Sequence, residues 1–134
     1  MDRFPAISLR IDLGPGRRLG PGKIGLLEEI AAKGSITAAA RALGMSYRRA
    51  WLLVAETNRL FGAPLVQSAA GGKRGGGAAL TPLGRRVVMA FRAIEDETRS
   101  ASRRRMKVLL EEKAKAAPKP LKRRPASARR SKRT

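Results

Sequence analysis

The segment Ile7-Ser8-Leu9-Arg10-Ile11-Asp12-Leu13 alternates apolar and polar residues strictly, the period of a half-buried strand. The stretch 14–22 is rich in Gly and Pro and reads as turn. The spacing of Ile24, Leu27 and Ile30 predicts a helix over 23–33, stopped by Gly34. Ser35 is placed to cap a second, short helix over 36–43, which Gly44 ends. Ser46 is placed to cap a third, running to about Phe61, with Gly62 and Pro64 beyond it. Within it Ala50, Val54, Thr57 and Phe61 follow the spacing of a buried face. Leu65-Val66-Gln67-Ser68 reads as a short strand and Ala78-Ala79-Leu80 as its hairpin partner. Thr81-Pro82 is an N-cap followed by Pro at the first helical position. It opens a long helix over 83–115. Val87, Val88, Phe91, Ile94 and Thr98 form a first apolar stripe on that helix; Met106, Leu109 and Leu110 form a weaker second.

The predicted order is strand, three helices, hairpin, long helix. Short helices joined by a tight Gly-containing turn and followed by a hairpin make the layout of a winged helix-turn-helix. The expected fold class is mainly α with a small β-hairpin. The expected organisation is a winged domain over 1–81, a long dimerisation helix over 82–115 and a disordered basic tail over 116–134.

Composition sharpens this picture. The chain has 134 residues, about one domain's worth. Thirty Lys and Arg against ten Asp and Glu give a net charge of +20. That balance points to a polyanionic partner, nucleic acid first and an anionic membrane surface second. Residues 117–134 hold eight basic side chains, no acidic ones and three prolines. Such a segment buries too little to offset its ordering entropy. The other 116 residues still carry a net +12. The chain contains no Cys and no His, which excludes disulfides, thiolate nucleophiles, zinc fingers and imidazole catalysis. No cofactor and no metal site is expected, and an enzyme would have to rely on scattered carboxylates, Lys or Ser. No apolar run approaches the ~20 residues that span a bilayer, and the N-terminus lacks a signal-peptide pattern, so a cytoplasmic protein is expected.

The stretch 34–51 concentrates the candidate chemistry. Ala38, Ala39 and Ala42 are small enough to let two helices approach closely. Gly44 suits a sharp turn, and Ile36, Leu43 and Met45 are expected to pin the helix pair to the core. Tyr47, Arg48 and Arg49 sit on the first turn after Ser46. An arginine there donates two hydrogen bonds to guanine or one to phosphate, and a tyrosine reaches phosphate or stacks on a sugar. The plain alternative is an alanine-rich helical hairpin with a solvated basic face.

Residues 34–84 resemble the N-terminal DNA-binding domain of ModE-type molybdate-responsive regulators, and more distantly the LysR-type helix-turn-helix. The resemblance rests on Gly34-Ser35-Ile36, Ala39-Ala40, Leu43-Gly44-Met45-Ser46-Tyr47, Ala50-Trp51 and Asn58. It continues through Leu65-Val66, Gly71-Gly72-Lys73, Gly75-Gly76-Gly77-Ala78, Leu80-Thr81 and Gly84. It implies a recognition helix in the major groove of double-stranded DNA and a homodimer held by the long helices. Ser35 and Thr37 become phosphate candidates; Ser46, Tyr47, Arg48 and Arg49 map to the start of the recognition helix; Lys73 and Arg74 map to the wing tip. Trp51 matches a family tryptophan, for which packing is expected over DNA contact. ModE-type regulators continue into molybdate-binding domains, whereas this chain continues into a basic tail, so no molybdate site is expected in it.

Three features keep alternative readings. The run 71–77, five glycines in seven residues with Lys73 and Arg74, is expected to be a DNA-touching wing. Without a following Gly-Lys-Ser/Thr it does not make a nucleotide loop, and a merely mobile hairpin tip is the plain alternative. At 1.5 Å per residue a ~30-residue helix is about 45 Å long. That overshoots a domain of this size, so an antiparallel pairing in a two-fold dimer is expected. The tail is expected to raise affinity for any duplex through counterion release. The functional expectation is a DNA-binding transcriptional regulator acting as a homodimer. The alternative is a nucleoid-associated architectural protein with little sequence specificity.

Overall fold

A computed structural model describes residues 6–69 and 76–116. The elements run β1 (Ile11–Gly14), β2 (Arg17–Leu19), α1 (Pro21–Lys33), α2 (Ile36–Ala42), α3 (Tyr47–Arg59), β3 (Val66–Ala69), β4 (Gly77–Leu80) and α4 (Pro82–Lys115). The chain divides into two compact units, Met1–Ala101 and Ser102–Thr134. The expected class is the observed one: mainly helical, with a winged helix-turn-helix and a long last helix. The tail over 117–134 and the wing-tip residues Lys73 and Arg74 lie outside the described residues.

The core of the first unit is aliphatic around one aromatic, Phe91. Ile24, Leu26, Leu27 and Ile30 bury one side of α1. Ala39 and Ala40 of α2 and Ala50 of α3 are fully or almost fully buried, so the two helices meet through methyl groups rather than long side chains. Between these helices Gly44 adopts φ 67°, a conformation that costs other residues more. There the Met45 N–H donates to the Ala40 carbonyl at 3.0 Å, closing the turn.

Serine caps open both helices of the motif. Ser35 Oγ accepts from Ala38 N at 3.0 Å and Ser46 Oγ accepts from Arg49 N at 3.1 Å. Each satisfies an N–H that the first turn leaves without an intrahelical partner. Thr81 does the same for α4, accepting from Gly84 N at 3.0 Å while donating to the Pro64 carbonyl at 2.8 Å.

The hairpin β3–β4 pairs Val66 with Leu80, Gln67 with Ala79, Ser68 with Ala78 and Ala69 with Gly77. Three further contacts fix it to the helices. Asn58 Oδ1 on α3 accepts from Leu65 N at 2.8 Å and Val66 N at 3.1 Å. The Ala78 N–H donates to the Gly34 carbonyl at the end of α1. The first turn of α4 lies against Leu65 so closely that a Cβ built at Gly84 overlaps the Leu65 carbonyl. Across the domain, Arg92 on α4 forks onto Glu28 of α1 at 2.6 and 2.9 Å and reaches Glu95 at 2.6 Å. These hydrogen bonds hold the Glu28 carboxyl below its ordinary range and raise the Arg92 guanidinium above its own.

Several expectations need correction. The alternation over 7–13 holds as far as Ile11, but the strand is only Ile11–Gly14, and Leu13 is exposed. It pairs with a strand inside the stretch read as turn, giving a second hairpin across Pro15-Gly16. Leu43 is exposed, whereas Ile36 and Met45 do pack against the core. Phe61 is exposed because α3 ends at Arg59, so Leu60 turns inward in its place. On α4 the buried line runs Gly84, Val87, Phe91, Glu95, leaving Ile94 exposed; Arg92 supplies the charge that lets Glu95 lie in that line. In the second unit Val108, Leu109 and Leu110 are exposed.

Candidate nucleic-acid interface

Helix α3 presents a buried stripe, an outer ridge and two flanks, one of them carrying exposed Arg49 and Glu56. Successive residues are rotated by roughly 100°, so the buried Ala50, Val54 and Thr57 form one stripe. Opposite it stand Arg48, Leu52 and Arg59, all exposed. Between the two, on the side toward the β3–β4 hairpin, come Tyr47, Trp51 and Asn58. The hydrophobic stripe thus dictates what the helix shows to solvent: a basic ridge and an aromatic flank.

Arg48 lies on the outer ridge of the first helical turn. Arg49 is rotated a further step, with its backbone N–H held by the Ser46 cap. Both side chains are exposed, and among the described residues no carboxylate is paired with either. They remain available to an external anion. Ser35 and Ser46 spend their oxygen lone pairs on capping, which leaves each hydroxyl proton free to donate. Thr37 is exposed on the first turn of α2 and lines one cleft together with Tyr47. The structure therefore brings Thr37 and Tyr47 together, sets Arg48 on the outer ridge of the same helical turn with Arg49 about 200° round from Tyr47, and places Ser35 and Ser46 at the helix starts.

Trp51 does not take the packing role expected of it. It is 50% exposed, beside Tyr47 at 52%. Gln67 and Ser68 line the same cleft, and exposed Leu52 stands on the adjoining outer ridge; the sequence pattern singles out none of the three. The available signal was rotational: Tyr47 and Trp51 are one turn apart and both off the Ala50–Val54–Thr57 stripe.

Residues 22–85 match the model of the bacterial regulatory helix-turn-helix proteins, lysR family. This segment is thus similar to the lysR-type helix-turn-helix domain over a little under half of the chain. Over 80 residues the chain is 50% identical to the molybdenum-pterin-binding protein MopB of Rhodobacter capsulatus, covering 60% of this chain and 30% of that protein. It is 43% identical over 93 residues to the molybdenum transport protein ModE of Azotobacter vinelandii, covering 69% and 34%. It is 45% identical over 71 residues to the DNA-binding transcriptional dual regulator ModE of Escherichia coli K12, covering 53% and 27%. The similarity is therefore ModE-like as well as lysR-like, and the chain spans about a third or less of the length of these curated relatives. No helix among the described residues is long and apolar enough to cross a membrane.

Proposed function

We propose that the protein is a DNA-binding transcriptional regulator that reads duplex DNA as a homodimer. The observation that carries this reading is the start of α3, where exposed Tyr47, Arg48 and Arg49 stand on a Ser46-capped first turn and, among the described residues, no carboxylate pairs with either arginine. A helix of this kind enters the major groove with its N-terminal residues at the base edges. Arg48, on the outer ridge, is the base-reading candidate, and exposed Leu52 beside it suits a thymine methyl. Ser35, Thr37, Ser46, Tyr47 and Arg49 supply phosphate contacts that set the register. Lys73 and Arg74, in the Gly-rich wing over 71–77, approach the neighbouring backbone or minor groove. Among the matched relatives, one is described as a DNA-binding transcriptional regulator, which supports the same assignment.

The dimer is held by α4, whose second part exposes Val108, Leu109 and Leu110. Antiparallel pairing about a two-fold axis gives those side chains a partner and sets two recognition helices on half-sites about one helical turn apart. The domain organisation proposed is a winged DNA-binding domain over 1–81, a dimerisation helix over 82–115 and a basic tail over 116–134. The partner in this reading is double-stranded DNA in the cytoplasm.

A second reading is favoured by one feature, the net +20 with eight basic residues in 117–134: a DNA-coating protein whose affinity is mostly counterion release. Selecting bound duplexes from a random library at about 150 mM salt separates the two. A two-fold symmetric motif that survives truncation after Ala116 establishes the regulator. Featureless enrichment that vanishes with the truncation establishes DNA coating instead.

A further inference from the structure

The described chain has one tryptophan and one tyrosine, and both line the same cleft. The cleft, of about 390 Å³, separates α3 from the β3–β4 hairpin. Trp51 and Tyr47 form its helical wall, Thr37 closes one side, and Gln67, Ser68 and Gly77 form the hairpin wall. Neither aromatic belongs to the buried core, which Phe91 serves alone. Half-exposed aromatics in a chain with 4% aromatic residues leave apolar surface in water where a partner would cover it. Among the described lining residues none is acidic. Thr37, Tyr47, Ser68 and Gln67 each present a hydrogen-bond donor, and among the described residues none of those side chains is engaged in an intramolecular hydrogen bond. The wall is low at Gly76, where an added Cβ meets nothing within 4 Å.

We propose that this cleft seats one sugar–phosphate strand of the bound duplex, with a deoxyribose against the Trp51 ring and phosphate oxygens accepting from Thr37, Tyr47 and Ser68. The inference rests on the DNA-binding reading above and deepens it. If α3 lies in the major groove and the hairpin reaches toward the minor groove, the strand dividing those grooves passes between them. The cleft occupies that gap. Its chemistry matches: an apolar ring for the sugar, neutral donors for phosphate oxygens and no carboxylate to repel them. A base would have to leave its stack to enter, at an unstacking cost, whereas the backbone passes there intact. The cleft therefore positions the duplex without reading its sequence, while the outer ridge of α3 reads it.

A single tryptophan makes the test direct. The full chain is titrated with an unlabelled duplex, following Trp51 emission, and in parallel with a fluorescently tagged duplex, following anisotropy. Trp51 emission is expected to change with the same midpoint as the anisotropy. Trp51→Ala is expected to weaken binding about tenfold, equally for a selected duplex and a scrambled one, whereas Trp51→Phe keeps most of the affinity. Ser68→Ala, on the opposite wall, is expected to lose a few-fold, again uniformly. Anisotropy that reports binding while Trp51 emission stays unchanged overturns the cleft assignment and leaves the DNA-binding reading standing. A Trp51→Ala loss confined to the selected duplex also overturns it, by making Trp51 a base reader. Quenching by mononucleotide at the same concentrations as by duplex overturns it in favour of a small-ligand pocket. Wild-type protein that binds no duplex overturns the DNA-binding reading itself, and this proposal with it.

Discussion

The two hairpins of the first unit are built from the same kind of ladder and held in opposite ways. In β3–β4 the strands are fixed by side chains and backbone of three helices: Asn58 from α3, Gly34 from the end of α1, and Thr81 and Gly84 at the start of α4. In β1–β2 the ladder shifts register between Asp12 and Gly14, and the polar ties are exposed. Arg10 and Arg18 stand 3.6 and 3.9 Å from Asp12, and Lys23 Nζ donates to the Arg18 carbonyl at 2.7 Å. Leu19 is the one residue of these two strands that is buried in the core. A two-stranded ribbon is marginal by itself in water. The β3–β4 hairpin acquires its stability from helix-borne partners that accept its backbone donors. The β1–β2 hairpin acquires it from buried Leu19, the partly buried Ile11 and a set of screened charges. A hairpin anchored at its root can carry a tip that touches a ligand, because a load on the tip is transmitted to α3 and α4 rather than to the ladder.

Gly84→Ala is the change expected to break this contrast most severely. A methyl group there overlaps the Leu65 carbonyl, so α4 or the root of β3 must move. In an open helix position the same substitution stabilises by about 1 kcal/mol through helix propensity. Here overpacking against backbone reverses the sign, and a net loss of about 3 kcal/mol is expected. Chemical denaturation measures it. A variant as stable as the wild type would show that the α4–β3 approach is loose and that the root of the hairpin is not rigid.

Asn58→Ala is expected to cost about 2 kcal/mol. The side chain accepts from Leu65 N and Val66 N and lies 3.4 Å from the Val66 carbonyl through Nδ2. Leu65 and Val66 are buried, so removing Oδ1 strands two donors where water reaches poorly. Amide exchange distinguishes this from a general loss of stability. Protection at Leu65 and Val66 is expected to fall further than at Ile24 or Leu27. Equal losses everywhere would mean that the hairpin root and the core open together, and the anchor has no local identity.

How far these features were legible in the sequence follows from the physics of each. Helix starts were readable because Ser35, Ser46 and Thr81 cap through their own side chains, a local interaction written within three residues. Asn58 was visible only as part of a family resemblance: its partners are seven and eight residues away, and no period announces a side chain bonding to a later strand. The hairpin β1–β2 escaped because Arg17-Arg18-Leu19 has one apolar residue and no alternation to detect, although Pro15-Gly16 marks a turn. Glu95 escaped because a pattern of apolar positions treats every carboxylate as exposed; only Arg92, pairing with it across one turn, makes that burial tolerable. On α3, the Ser46 cap and the exposure of Arg48 and Arg49 were legible. Tyr47 is also read as facing outward; Trp51 is the exception, since a lone Trp on a helix is ordinarily core, although its offset from the Ala50–Val54–Thr57 stripe already points it outward.

Asp12→Asn is expected to have the smallest effect, and its smallness is the point of the comparison. The carboxylate faces Arg10 and Arg18 at distances beyond good hydrogen-bond length, with more than half of each side chain exposed. Water and salt screen such pairs, and their worth is typically about 0.5 kcal/mol. Asparagine keeps the size of the side chain while removing the charge, so packing is unchanged. The loss in denaturation free energy is expected to stay below about 0.5 kcal/mol at low salt and to vanish near 0.5 M salt, where the Debye length shrinks to a few ångströms. A loss of about 2 kcal/mol that salt does not diminish would place Asp12 among the anchors, in the same class as Asn58. The two hairpins would then be held alike, and rigidity at the root would no longer set β3–β4 apart as the one proposed to meet DNA.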